Sequence, residues 1–113
     1  MPFIDVKTNV KIAADEEERI KSALGQAITS IPGKSEGWLM VGMTPEYKLW
    51  FKGTADPAAM VQVSIYGSAD RSAKNKLTEK ISEILGSELN ISPSRIYVSY
   101  AETPDWGWNG ANF

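Results

Sequence analysis

The chain has 113 residues, with 12 Lys plus Arg against 14 Asp plus Glu, no Cys and no His, and a formal net charge of −2 at pH 7. Without thiols or imidazoles there is no disulfide framework, no zinc site of the usual ligands and no Ser-His-Asp triad, so acid–base chemistry falls to Lys, Tyr, carboxylates or the N-terminal amine. Charges are interspersed, as in Lys74, Lys76, Glu79, Lys80 and Glu83, and lack the clustered basic face that phosphate backbones require, so nucleic acid is not expected as a partner. The length fits a single domain over 1–113. The absence of a basic-then-apolar leader, and of any apolar run near the roughly 20 residues that span a bilayer, predicts a cytoplasmic protein with no membrane partner.

Met1-Pro2 opens the chain. A residue as small as Pro2 favours removal of the initiator Met, which would leave a secondary amine that only proline supplies. In a dry pocket such an amine can act as a general base at neutral pH, because burial penalises its protonated form. The plainer alternative is a ring that stiffens the chain before a strand.

From Ile4 to Val10 apolar or β-branched residues alternate with Phe3, Asp5, Lys7 and Asn9, the period of a strand with two unlike faces. Asp15 with Glu18 three residues on makes a helix N-cap signature, followed by Ile20, Leu24, Ala27, Ile28 and Ile31 at helical spacing and a stop at Pro32-Gly33. Trp38 to Met43 is almost wholly apolar, as for a strand covered on both faces. Tyr47 to Lys52 alternates as a short strand before the break at Gly53-Thr54-Ala55-Asp56-Pro57. Val61, Val63 and Ile65 alternate up to Gly67, Leu77, Ile81, Ile84 and Leu85 mark a second amphipathic helix, and Ile96, Val98 and Tyr100 alternate in a last strand. Asn90-Ile91-Ser92 matches an N-glycosylation acceptor, read as coincidence in a chain without a leader.

The pattern is therefore a tandem βαβ repeat. It predicts an α/β fold with a four-stranded mixed sheet and two helices on one face. The other face, expected to carry apolar side chains, would need a cover, and the same face of another subunit is the obvious one, so a homo-oligomer is expected.

Several local motifs then converge: Pro2-Phe3, Gly33-Lys34, Ile91-Ser92-Pro93 with Arg95-Ile96-Tyr97-Val98, and the tail Trp106-Gly107-Trp108-Asn109-Gly110-Ala111-Asn112-Phe113. Together, and over essentially the whole chain, they resemble the macrophage migration inhibitory factor family of the tautomerase superfamily. The resemblance implies a homotrimer around a central channel, active sites between adjacent subunits, and cofactor-free keto–enol tautomerisation of an aryl 2-keto acid such as phenylpyruvate, with dopachrome tautomers as a further substrate. The base would be the proline nitrogen. It also implies an alternative, a cytokine-like binding protein that is released without a leader and recognises a receptor while its pocket is vestigial.

Each role has a physical rationale. Phe3, Ile65, Trp106, Trp108 and Phe113 would disfavour an ammonium at Pro2, and the cation of Lys34 would lower its pKa further while holding the substrate carboxylate. Lys34 otherwise reads as an ordinary surface lysine. The backbone amide of Tyr66 would also bind that carboxylate. Tyr97 and Ser99 share one side of the last strand. In the resemblance they reach into a neighbour's site, the Tyr hydroxyl toward substrate and Ser99 where relatives commonly carry Asn. Tyr97 could equally be a plain strand aromatic. Trp106 and Tyr66 replace aliphatic residues of relatives and enlarge the aromatic wall, although Trp106 and Trp108 could instead pack a seam between subunits. Ala58 and Val61 stand where some relatives carry a Cys-x-x-Cys pair, which excludes thiol–disulfide chemistry.

Overall fold

A computed structural model describes residues 1–113. The chain runs β1 (Pro2–Thr8), α1 (Ala14–Ala27), β2 (Met40–Thr44), β3 (Ala59–Tyr66), α2 (Arg71–Leu89) and β4 (Ile96–Thr103), then a small hairpin of β5 (Gly107–Trp108) and β6 (Ala111–Asn112). The sheet order is β2-β1-β3-β4. Strands β1 and β2 are parallel, β3 and β4 are parallel, and the two pairs meet antiparallel along β1 and β3. This is the mixed four-stranded sheet of two tandem βαβ units. No helix is long and apolar enough to cross a membrane.

One face of the sheet and the two helices enclose the core. Ile4 and Val6 of β1, Val61, Val63 and Ile65 of β3, Ile20 and Leu24 of α1, and Leu77, Ile81 and Leu85 of α2 are all essentially inaccessible. Period 2 in the strands and period 3.6 in the helices thus select the same interior, and each such side chain contributes about 1.5–3 kcal/mol by leaving water. Thr8, the buried polar residue of this layer, donates from Oγ1 to the Ala58 carbonyl at 2.8 Å. Tyr100 ties β4 to α2: its hydroxyl donates to the Lys74 carbonyl at 2.8 Å and lies 2.8 Å from Thr78 Oγ1.

Several boundaries differ from the sequence expectation, for local reasons. Strand β1 spans Pro2–Thr8, and Asn9 and Val10 leave it because the Asn9 side chain is engaged with the 49–58 segment. Helix α1 starts one residue before Asp15. Ala13 occupies the cap position and its N–H donates to Glu16 Oε1 at 2.9 Å, so the Asp15–Glu18 pair sits inside the first turn. For α2 the cap is Asp70, whose carboxylate accepts from Ala73 N at 2.7 Å. Trp38 lies in a 3-10 turn, and β2 begins at Met40. That strand is an edge, not covered on both sides, and Met40 is 67% exposed.

The expected strand over Tyr47–Lys52 is absent from the sheet. Phe51 and Thr54 instead exchange backbone hydrogen bonds at 3.0 and 3.1 Å around Lys52-Gly53, both at positive φ. A residue in this region favours glycine, which explains the Gly53 that closes so tight a turn. No strand edge of the subunit lies alongside this segment, so side chains satisfy its carbonyls.

The open face of the sheet is not the apolar surface expected. Phe3, Met40, Met60 and Tyr97 alternate in space with Asp5, Lys7, Gln62, Ser64 and Ser99, and Lys7 Nζ pairs with Asp5 at 2.6 Å. Strands buried on one side keep polar residues on the other. Hydrophobicity of the face as a whole therefore does not demand a cover. The exposed aromatics concentrate at its two ends.

Truncating Ile81 to Ala should lower the unfolding free energy by about 2–5 kcal/mol, and Asp70→Ala by about 1 kcal/mol through loss of the α2 cap. Urea unfolding followed by circular dichroism checks both, and the reverse order would contradict this account of the core.

Candidate active site

Strand direction decides what meets what. Because β2 is parallel to β1, the loop that feeds β2 lies beside the start of β1. Because β3 is antiparallel to β1, its end arrives there too, and β4, parallel to β3, delivers the C-terminal hairpin to the same edge. Pro2, the Lys34 loop, Ile65, Tyr66 and the 106–113 tail are thereby gathered from remote stretches of sequence.

Pro2 is buried and pairs with Ile65, which is fully inaccessible. Proline lacks an N–H, and the first position of a strand is where that is tolerated. Its nitrogen is acylated by Met1 here and carries no basic lone pair. The Met1 carbonyl accepts from Tyr66 N at 3.0 Å, extending the β1–β3 ladder by one bond.

Lys34 enters from a tight turn. Its N–H donates to the Ile31 carbonyl at 3.1 Å, closing a turn over Pro32-Gly33. Gly33 has φ of +81°, the conformation a type II turn demands after proline. The Lys34 side chain then reaches across to donate from Nζ to the Tyr66 carbonyl at 2.9 Å. The N-terminal amine of Met1 lies close enough to feel it: burial holds that amine below the ordinary α-amine value, and the Lys34 charge and a hydrogen bond with Lys34 lower it further. A base and a cation thus share one edge, which favours an unprotonated amine and attracts an anionic ligand.

Aromatic rings wall this edge. The Trp38 and Trp108 centroids are 5.1 Å apart at 85°, Tyr66 and Phe113 are 5.2 Å apart, and Trp108 and Phe113 are 6.5 Å apart. Trp106 stands at the foot of the hairpin, half-buried, its carbonyl accepting from Phe113 N at 3.1 Å. The hairpin itself turns through Asn109-Gly110, the favoured two-residue β-turn pair. Trp38, Trp108 and Phe113 remain 50–53% exposed, so the site is open on one side. Trp38 was missed in the sequence because its apolar run read as strand, and its closeness to Gly33-Lys34 was the available signal.

Phe3 turns to the open face, over Gly42: a Cβ on that glycine would lie 3.4 Å from the Phe3 ring. Tyr97 and Ser99 do not join the Pro2 edge. Pro2 aligns through Ile65 with Glu102, whereas Tyr97 aligns through Met60 with Lys7 and Ser99 through Gln62 with Asp5. Counted along β4 from Glu102, Ser99 lies about 10 Å away and Tyr97 about 17 Å away, at the opposite end of the sheet.

The chain belongs to the family described as macrophage migration inhibitory factor (MIF), whose profile matches residues 1–113. The rat macrophage migration inhibitory factor is 30% identical over 115 aligned residues, covering 100% of this chain and 99% of the relative. The Trichinella spiralis homolog is 27% identical, with 100% of both chains covered. Among solved structures, Leishmania major MIF2 superposes with a TM-score of 0.93 at 31% identity, covering 100% of this chain and 97% of that one. The homologue from Prochlorococcus marinus gives 0.89 at 26%, covering 98% of each.

Because Lys34 lowers the pKa of the N-terminal amine, Lys34→Ala should raise it. An NMR titration of the α-proton next to that amine checks the sign, and an unchanged midpoint would mean that burial alone sets the shift.

Proposed function

We propose that this chain, as one domain over 1–113, is a keto–enol tautomerase of aryl 2-keto acids such as phenylpyruvate, with the nitrogen of Pro2 as general base once Met1 has been removed. The observation that carries the reading is the meeting of the N-terminal amine, Lys34 and the Tyr66 backbone at one aromatic-walled edge. Loss of Met1 does two things there. It turns a tertiary amide into a secondary amine, and it releases the Tyr66 N–H from the Met1 carbonyl.

The reaction moves one proton. Pro2 nitrogen takes it from the carbon between the aryl ring and the ketone, the C–H electron pair becomes the C=C bond, and the ketone oxygen takes up a proton to give the enol. The reverse path returns the proton to carbon. Lys34 holds the substrate carboxylate as a point charge, and the freed Tyr66 N–H donates to the same group. The aryl ring lies against Trp38, Trp108 and Phe113, with Ile65, Phe3 and Trp106 completing the apolar surroundings that keep the amine neutral.

Tyr97 and Ser99 would be supplied by a neighbouring copy in a homotrimer. Support comes from the geometry of a single chain, which puts Tyr97 at the far end of the sheet from Pro2 and Ser99 midway along β4, and leaves aromatic rings exposed at both ends. Head-to-tail contact between unlike ends closes into a ring when the rotation permits. Ser99 offers a short hydroxyl where an amide would reach farther, which tunes the polar end of the site.

One observation favours a second reading for the chain that keeps Met1. There the Met1 carbonyl occupies the Tyr66 amide and the proline nitrogen is not basic, so such a form could act only through its surface, as a cytokine-like binding protein.

With phenylpyruvate followed by absorbance, protein that begins at Pro2 should be active and protein that keeps Met1 inactive. Pro2→Gly should lose about 100-fold in rate; full rate in that variant rules out the base. A depressed amine pKa leaves the base unprotonated above its lowered midpoint. The group whose pKa Lys34 lowers here is the Met1 amine; with the Pro2 amine one residue on and still beside the Lys34 charge, the acid limb of kcat/KM should move upward in Lys34→Ala. The same variant should raise KM for the acid more than for its ester, and equal effects would contradict the carboxylate role.

A further inference from the structure

The far end of the sheet carries a construction that the reaction as described does not use. The segment from Leu49 to Pro57 has no strand to pair with, yet its carbonyls are taken up by two side chains. Asn9 Nδ2 donates to the carbonyls of Leu49, Ala55 and Asp56 at 3.0–3.1 Å, while its Oδ1 accepts from Ala58 N at 2.9 Å. Arg95 donates from Nε to the Pro57 carbonyl at 2.9 Å and from one terminal nitrogen to Asp56 and Thr54 at 3.1 and 3.3 Å. Four successive carbonyls, from Thr54 to Pro57, and that of Leu49 are thus converged on from the β1 side and the β4 side. The guanidinium suits this because its donors are fixed in a planar fork, which a lysine cannot reproduce.

What the clamp presents is Phe51. The Arg95 guanidinium lies 5.2 Å from the centroid of the Phe51 ring, and the Tyr97 ring packs edge-on against it at 4.9 Å and 73°. Arg95 ends the short 3-10 turn that leads into β4 and Tyr97 is the second residue of that strand, and both side chains lie against the Phe51 ring. Tyr97 is itself 60% exposed, and this ring is the aromatic contact that orients it. A residue that must enter another copy's pocket while projecting from its own surface would otherwise lose that orientation to rotamer freedom.

We infer that Arg95, assisted by Asn9, is a positioning residue for Tyr97, acting through the clamped 49–57 segment and Phe51. The inference rests on the reading that Tyr97 serves a neighbouring tautomerase site.

The test uses the full chain beginning at Pro2, with Arg95→Gln and Phe51→Leu alone and each combined with Tyr97→Ala; Phe51→Leu leaves the clamp in place should Arg95→Gln fold poorly. Each single variant should lower kcat/KM for phenylpyruvate by roughly tenfold, and adding either to Tyr97→Ala should cost little more, because the supported group is already gone. In Arg95→Gln the ring-proton resonances of Tyr97 should also lose the ring-current shift imposed by Phe51. Unchanged Tyr97 resonances in Arg95→Gln, or losses that multiply on combination with Tyr97→Ala, would overturn the inference. Failure of the tautomerase reading shows separately, as an unsubstituted chain without a Pro2-dependent rate, and would remove the basis of the inference as well.

Discussion

The pairing of β1 with strands on both sides is the constraint from which the rest follows. An N-terminal strand in the middle of a sheet takes the first residues of the chain, which are ordinarily frayed, and buries them. Pro2 lies against Ile65 because Ile4, Val6, Val61 and Val63 lock the register. A one-residue slip of β1 would turn Ile4 and Val6 toward the open face. The environment of the N-terminal amine is therefore held in place by aliphatic burial several residues away. The same pairing fixes the directions of β2, β3 and β4, and with them the arrival of Lys34, Tyr66 and the terminal hairpin at one edge.

Electrostatics at that edge depends on the same geometry. An amine near bulk water beside one lysine would feel a screened charge. Burial removes part of the solvent that would stabilise the ammonium, and the Lys34 charge then acts with less screening. Lys34 is itself tethered, through Nζ to the Tyr66 carbonyl and through its own N–H to Ile31, so its charge is placed by two hydrogen bonds and a glycine turn. The Tyr66 amide at this edge is taken by the Met1 carbonyl, one further bond of the β1–β3 ladder.

The two ends of the sheet are chemically unlike. One carries a cation, an amine and the rings of Trp38, Tyr66, Trp108 and Phe113. The other carries Tyr97, Phe51 and the exposed Trp50 on a segment pinned by Asn9 and Arg95. Between them the open face is largely polar, with its Lys7–Asp5 pair and its Gln62, Ser64 and Ser99. Contact through the ends, with water along the middle, suits this distribution better than burial of the whole face, since covering unpaired polar groups is costly.

Much of the fold was legible in the sequence because burial imposes periodicity. Alternation through Ile4–Val6 and Val61–Ile65, and helical spacing through Ile20–Ala27 and Leu77–Leu85, each identified an element and its inner face, although the first helix stops at Ala27, with Ile28–Ser30 in a 3-10 turn and Ile31 extended, short of the expected end at Pro32-Gly33. Boundaries were less legible, since Ala13 caps α1 without a side-chain acceptor and Tyr47–Lys52 has the alternation of a strand but no neighbour to pair with. Of the candidate site, the sequence by itself determined the components: the proline at position 2, the lysine after a Pro-Gly turn, and the aromatic tail. Only the tertiary structure decided which of them meet. Strand direction and register set those distances, and they arise from hydrogen bonds between segments far apart in the chain, which local sequence does not encode. That is why Trp38 joins the edge unannounced, and why Tyr97 stands at the opposite end of the sheet from Pro2.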